Sequence, residues 1–338
     1  MTDLLIVGRD PKPSALAAVD HKLNQALKKA AIVREHCIVD LEADKSGLMD
    51  LVEAHKPELI VALGNEASQA LLGPELWPLD KRGKAEGSQK IRGYLWDTQY
   101  GRVLTTIHPA ACLARRDPSG VWETYFKLDI KKAKQELDLG CPKLPERKVQ
   151  VVSEPWEFQT ARNAIAAAPR IAIDIENDGK LELSCLGIAV SRDVAFVIPA
   201  RTAPQMDFIR EVCEGEKPKV LQNGQYDRLF LTFDHQHLLH GERQAESILV
   251  RNQTIDTMLQ WHSLQPELSG SEDKSRHKKK GGYSRHTQKS LRFLASIFTR
   301  EPFWKNYSFS EEMEKYVLCG IDCAVTLECA EVMEGMFK

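Results

Sequence analysis

Several features are missing from this 338-residue chain, and each absence removes a class of protein. No run approaches the ~18 consecutive apolar residues of a membrane-spanning helix, so no span and no membrane partner are expected. The N-terminus, Met1-Thr2-Asp3 before one short apolar stretch, lacks the basic leader and apolar core of a secretion signal. A cytoplasmic location, in a bacterium or a bacterial host, is the expectation. The formal net charge of −2 gives no global basic footprint, so any nucleic-acid contact must come from local clusters. The eight cysteines include no C-x-x-C pair, which speaks against a zinc ribbon or a disulfide framework. Cys319 and Cys323, four apart on a predicted helix, read as packing residues. No internal repeat is evident.

What is present alternates strand and helix, and the class expected is α/β. In the first part, strands are predicted at 4–7, 36–41, 58–63 and 103–107. Helices are predicted at 15–31, 47–55, from about 65, and at 121–137. The pattern describes an α/β sandwich on a largely parallel sheet, residues 1–139. Gly140-Cys141-Pro142-Lys143-Leu144-Pro145-Glu146 breaks it with two prolines and a glycine, so residues 140–147 are read as a linker. A second domain, 148–338, opens with a strand at 149–152 and a helix at 155–168.

Three acidic words in the second domain carry the chemistry. Ile173-Asp174-Ile175-Glu176 ends an apolar run that reads as a buried strand. Asn223-Gly224-Gln225-Tyr226-Asp227 opens a predicted helix, 226–233. Gly320-Ile321-Asp322 lies on a helical pattern from 311 to 336. A carboxylate is too costly to bury alone, so acids inside apolar elements call for a metal or a partner. An Asp and a Glu two apart on a strand, with one Asp from each of two later helices, can hold two Mg²⁺ or Mn²⁺ ions. Ions about 3.5–4 Å apart stabilise the attacking and leaving oxygens of a phosphodiester cleavage.

With these flanks and this order, the second domain resembles the 3′→5′ proofreading exonuclease domain of family A DNA polymerases, within the RNase H-like superfamily. The resemblance extends to Thr254-Ile255-Asp256-Thr257-Met258 and to Ser290–Pro302. It implies an RNase H-like fold with a mixed sheet, two divalent ions, and DNA with a 3′ end as partner. It also implies roles. Asp174 bridges both ions, Glu176 binds the first and touches the terminal 3′ hydroxyl, Asp322 completes the first shell, and Asp227 holds the second ion through water. Asn223 positions the substrate end and Tyr226 packs beneath the site. One departure is plain: the family places a Tyr one helical turn before the last Asp, and here that position is Leu318. Tyr316, six residues before Asp322, is about 240° round the helix and is expected to face elsewhere. The family's other variant, a His five before the Asp, is replaced by Val317. The expected enzyme is an exonuclease slowed by the lost hydroxyl.

Between 269 and 289 lies a polar insertion. Lys278, Lys279, Lys280 and Arg285 could track a nucleic-acid backbone, and Tyr283 could stack on a base.

The first domain is similar to the uracil-DNA glycosylase superfamily, especially its thermophile-type branch. The residues are Gly8-Arg9-Asp10-Pro11, the strand-turn-helix from Pro57 through Gly64-Asn65 to Ala67, Arg92-Gly93, and Thr105-Thr106-Ile107-His108-Pro109-Ala110. The resemblance implies a pocket for a flipped base around Asp10, Asn65 and His108. It is incomplete. No aromatic platform follows Pro11, and the domain's Cys37, Cys112 and Cys141 lack the spacing for that branch's iron–sulfur cluster, so no cluster is expected. The domain is read as a divergent relative that binds DNA or a partner. Domain order resembles phage polymerases or split polymerase subunits, so a polymerase domain or subunit is the expected partner. Two rival readings stay open: a weakened DNA-binding scaffold, and a bifunctional glycosylase–exonuclease.

Overall fold

The structure, a computed structural model, describes residues 3–8, 16–30, 32, 36–40, 47–79, 83–113, 120–177, 182–232, 247–266, 289–304 and 312–337. They fall into two compact units. The expected α/β class is borne out, and each unit carries one mixed sheet.

The first unit comprises residues up to Leu144 together with 300–304. Its strands are β1 (Leu4–Gly8), β2 (His36–Asp40), β3 (Leu59–Leu63), β4 (Leu95–Thr98) and β5 (Gly101–Thr106), in the order β2-β1-β3-β5-β4. The apolar runs of β1 and β3 have helices on both sides, and Leu4–Val7 and Leu59–Ala62 are almost wholly sealed from solvent. Strands buried on both faces are characteristic of parallel sheets. All neighbours are parallel except β4, which pairs antiparallel with β5. The helices are α1 (Leu16–Lys29), α2 (Leu48–His55), α3 (Gly64–Leu76), α4 (Ser88–Ile91) and α5 (Val121–Asp138). Leu23, Leu27, Phe126 and Ile130 pack onto Leu4, Ile6, Leu59 and Val61.

The second unit has strands β6 (Lys148–Val151), β7 (Ile171–Asn177), β8 (Leu183–Ala189), β9 (Val194–Pro199), β10 (Lys219–Leu221) and β11 (Gln253–Asp256). Its sheet order is β11-β10-β7-β8-β9-β6. The central strands β7, β8 and β9 pair antiparallel, and the flanking pairs are parallel. The helices are α6 (Phe158–Ala167), α7 (Ala203–Glu214), α8 (Gly224–Thr232), α9 (Thr257–Leu264), α10 (Leu291–Phe298) and α11 (Glu312–Met336).

The two faces of β7 decide where the acids go. Ile171, Ile173 and Ile175 join Phe158, Phe208 and Phe230 in the larger core. Ala172, one residue out of phase, joins Ala189, Ala195, Cys323, Ala324 and Leu327 in a smaller core under α11. Side chains alternate along a strand, so Asp174 and Glu176 share the α11 face with Ala172. The small residues there let the helix lie close. A Cβ added at Gly187, which pairs with Asp174 across β7 and β8, would stand 2.6 Å from the Cys323 sulfur. One added at Gly320 would stand 2.5 Å from Val149 Cγ1. Neither position has room for a side chain.

Among the described residues, no helix is long and apolar enough to cross a membrane.

Candidate metal centre

Strand β7 and helix α11 bring Asp174, Glu176 and Asp322 together, with one carboxylate oxygen from each within 4.8 Å of the others. Asp322 is buried, and the two strand acids are half-buried. Oxygens sharing one Mg²⁺ at about 2.1 Å can be no more than about 4.2 Å apart. A shift of a few tenths of an ångström would therefore bring the set to an ion. An all-carboxylate set suits a hard divalent cation such as Mg²⁺ or Mn²⁺ rather than zinc or a soft metal.

Asp227 stands outside this trio. It lies in the first turn of α8, is 3% exposed, and its Oδ1 accepts a hydrogen bond from the Ile175 N–H at 3.2 Å. Burial pushes its pKa up to about 7; the backbone N–H groups of Ile175 and Asp227 itself oppose this, and the negative charges of Asp256 and Glu176 add to it. A nearby cation would reverse that balance.

Asp256 has a structural task that its sequence neighbourhood did not reveal. Its carboxylate caps α9 by accepting from Met258 N at 3.0 Å. It also accepts from the N–H groups of Asn223 at 3.2 Å and Gly224 at 2.8 Å. One side chain thereby fixes the turn that launches α8 and hence Asp227. The Asp-Thr-Met sequence after a strand was a readable N-cap signal; the reach across to β10 was not. Asn223 is exposed and holds a left-handed φ of 58° at this turn. Tyr226 is half exposed, and its hydroxyl accepts from Asn177 Nδ2 at 2.6 Å. It flanks the end of β7 rather than packing beneath the acids.

On α11, Tyr316 turns away as its helical phase requires: it packs with Cys185, Val197 and Cys319, and donates its hydroxyl to Glu312. Leu318 is half-buried and Val317 exposed. Lys315, one turn before Leu318, donates to the Asn177 carbonyl at 2.7 Å. Behind the acids lies sulfur. Cys185, Cys319 and Cys323 are fully buried free thiols, and the Cys319 thiol reaches the Asp174 carbonyl at 3.7 Å. Hydrogen bonding with Cys319 and burial drive the Cys185 pKa far up, and burial pushes Cys323 up to about 11. These are neutral packing thiols, as expected for Cys319 and Cys323.

In the first unit, Asn65 and His108 sit at the carboxyl ends of β3 and β5. Asn65 Oδ1 accepts from Ser88 N at 2.6 Å, and His108 Nδ1 accepts from Ala110 N at 3.1 Å, capping a short 3₁₀ turn. Arg92, Thr105 and Thr106, also quoted for the glycosylase likeness, are buried and serve packing. Arg92 forms a buried ion pair with Asp129, which also accepts from the Thr106 hydroxyl at 2.6 Å. Thr105 accepts from the Trp96 indole N–H at 3.1 Å. Asp10, Lys278, Lys279, Lys280, Tyr283 and Arg285 lie outside the described residues.

No protein-family model matches the chain, and no curated protein matches it. Among solved structures, it is similar to the catalytic core of RRP6 from Trypanosoma brucei, at 14% identity and TM-score 0.38 over 56% of this chain. The match spans 47% of the RRP6 core. A Trypanosoma brucei RNase D complex with RNA U12 is similar at 14% identity and TM-score 0.34, over 56% of this chain and 63% of that one. The EXD2 exonuclease domain soaked in Mn and GMP is similar at 17% identity and TM-score 0.26, over 56% of this chain and 90% of that one. All three TM-scores are below 0.5. The functional reading rests on the residues.

Proposed function

We propose that this chain is a divalent-metal-dependent 3′→5′ exonuclease of the RNase H-like kind, acting on DNA with a free 3′ end and releasing nucleoside monophosphates. One observation carries the reading: Asp174, Glu176 and Asp322 converge within 4.8 Å from a buried strand and the helix that crosses it. Three carboxylates held this closely repel one another unless a cation is shared.

Asp174, Glu176 and Asp322 would hold the ions, with Asp227 supporting a second one through water. Bound there, Mg²⁺ or Mn²⁺ supplies charge for the phosphate and a water of lowered pKa. The chain's own residues do the rest. The β7 backbone fixes the spacing of Asp174 and Glu176, and the packing of Ala324 and Leu327 fixes the height of Asp322. Asp256 sets the start of α8, which places Asp227 at the Ile175 N–H. Asn223 and Tyr226, both exposed, would meet the substrate end. The first unit, in this reading, is a divergent glycosylase-like module that binds DNA or a partner, and the chain serves a DNA polymerase domain or subunit.

The test is degradation of 5′-labelled DNA and RNA oligonucleotides with blocked and free 3′ ends, in Mg²⁺, in Mn²⁺ and in chelator. Stepwise shortening from a free 3′ end, lost in chelator and in Asp174→Ala with the thermal transition retained, is the expected result. Undiminished digestion by Asp174→Ala would sink the assignment, and faster digestion of RNA would reassign the substrate.

A further inference from the structure

We propose that Lys315 is a catalytic residue of this centre, its ammonium contacting a non-bridging oxygen of the scissile phosphodiester. The inference deepens the exonuclease reading and rests on it.

The position of Lys315 follows from how α11 lies on β7. The Cys319 thiol meets the Asp174 carbonyl at 3.7 Å, and Lys315 Nζ meets the Asn177 carbonyl at 2.7 Å. Moving back one turn on the helix thus moves forward three residues on the strand, so the two run in opposite directions. Asp174 lies inward, Glu176 next, and Lys315 at the outer lip. Seven residues separate Lys315 from Asp322, a rotation of about 700°, which returns to within about 20° of the same face. Leu318 and Cys319 lie between them on that face. Of these four, Lys315 is the cation.

The chemistry of the trio calls for such a group. All three members are carboxylic acids, so the phosphate would be drawn by the ions they hold, and a protein cation beside them would share that task. Hydrolysis joins a water oxygen to phosphorus and breaks the bond from phosphorus to the 3′ oxygen of the preceding sugar. That oxygen leaves with the bonding pair and takes up a proton, and the water's proton passes to solvent. Charge on the non-bridging oxygens rises on the way, and preorganised donors aimed there are worth about 10²–10³-fold each. An ammonium has three N–H donors. Among the described residues, Lys315 commits one of them, to Asn177. That bond also fixes the half-buried side chain before substrate arrives, which reduces the entropy lost on engagement. Glu312, which also feels the Lys315 charge, is engaged more closely by Arg201 and by the Tyr316 hydroxyl.

The test compares wild type, Lys315→Met and Lys315→Arg in single-turnover hydrolysis with Mn²⁺. Substrates are an oligonucleotide with a native terminal linkage and one with a methylphosphonate there, in which a methyl group replaces one non-bridging oxygen. Calorimetric Mn²⁺ binding and thermal unfolding run alongside. Lys315→Met should lower the rate about 10²-fold on the native linkage and much less on the methylphosphonate, with Mn²⁺ affinity and unfolding unchanged. Lys315→Arg should recover to within about tenfold. A purely structural lysine predicts the opposite: unfolding and Mn²⁺ affinity fall together, and discrimination between the linkages stays at the wild-type value. That result, or an active wild type matched by Lys315→Met, overturns the proposal. A wild type that cleaves neither substrate removes the exonuclease reading and this proposal with it.

Discussion

Adding one methyl group at Gly187 should dismantle the centre without touching an acid. The Cβ of Gly187→Ala would lie 2.6 Å from Cys323 Sγ, 2.8 Å from Cys319 Sγ and 3.0 Å from the Cys319 carbonyl. Apolar contacts settle near 3.5–4.0 Å, so relief requires α11 to rise by about 1 Å. Two of the three obstacles belong to Cys319, including its backbone oxygen, so a rotamer change cannot supply it. Overpacking of this kind costs about 1–3 kcal/mol. In a unit of this size each kcal/mol lowers the melting temperature by about 2–4 °C, giving roughly 2–12 °C. Asp322 precedes Cys323 and rises with it, opening a trio already at the edge of what one ion can span. Mn²⁺ affinity should fall about 10–100-fold, and a misplacement of about 1 Å should cost about 10²-fold in rate. Differential scanning calorimetry and Mn²⁺ titration read both effects. Gly320→Ala should behave alike, since its Cβ meets Val149 at 2.5 Å. Gly335→Ala, on the same helix with open space around it, is the control and should be neutral or stabilising. A Gly187→Ala protein that matches Gly335→Ala in melting and Mn²⁺ binding would refute the close-approach reasoning.

Three further expectations are open to measurement. The raised pKa of Asp227 makes it a source of stability that is complete below the usual carboxylate value of 3.8 and lost as pH rises through about 7. Chelated protein should therefore resist urea better at pH 5 than at pH 8, and Asp227→Asn should narrow that gap; an unchanged gap would assign it elsewhere. Leu318→Tyr, which restores a hydroxyl on the Asp322 face, should raise turnover by up to about 10²-fold with Mn²⁺ affinity unchanged. A rate at or below wild type would show that no such hydroxyl is wanting. The first unit should not excise uracil efficiently, because His108 caps its own turn and Asn65 is engaged by the Ser88 N–H. Alkali-labile sites formed in a uracil-containing duplex by an Asp174→Ala protein, and abolished by His108→Ala, would prove this wrong.

The parts of the fold legible in the sequence are those whose neighbours are local or uniformly apolar. β1, β3 and β7 read as strands because both faces of each are covered, and the predicted helix 311–336 differs from Glu312–Met336 by one residue. β4 is a four-residue edge strand whose residues Trp96 and Asp97 look like loop, and only its pairing with β5 makes it a strand. β8 drew no reading, since Gly187 and Ala189 weaken a strand pattern for a reason visible only once α11 lies over them, whereas β9, Val194-Ala195-Phe196-Val197-Ile198, is apolar throughout and was passed over. At the centre, the acids were legible because charge inside an apolar run is anomalous by itself. For Asp256 the cap was legible but its hold on the Gly224 N–H was not, and Lys315 looks like an ordinary surface charge in sequence; each acts through a backbone group on another strand or turn.

The sulfur layer behind the acids has a kinetic consequence. A thiol reacts with an alkylating reagent only as thiolate and only when reached. Cys185, Cys319 and Cys323 satisfy neither condition while α11 is seated. Their labelling therefore waits for the helix to lift, and its rate clocks the opening of the wall that carries Asp322. Mass spectrometry of timed alkylation would read that clock peptide by peptide, and any cation tying Asp322 to β7 would slow it.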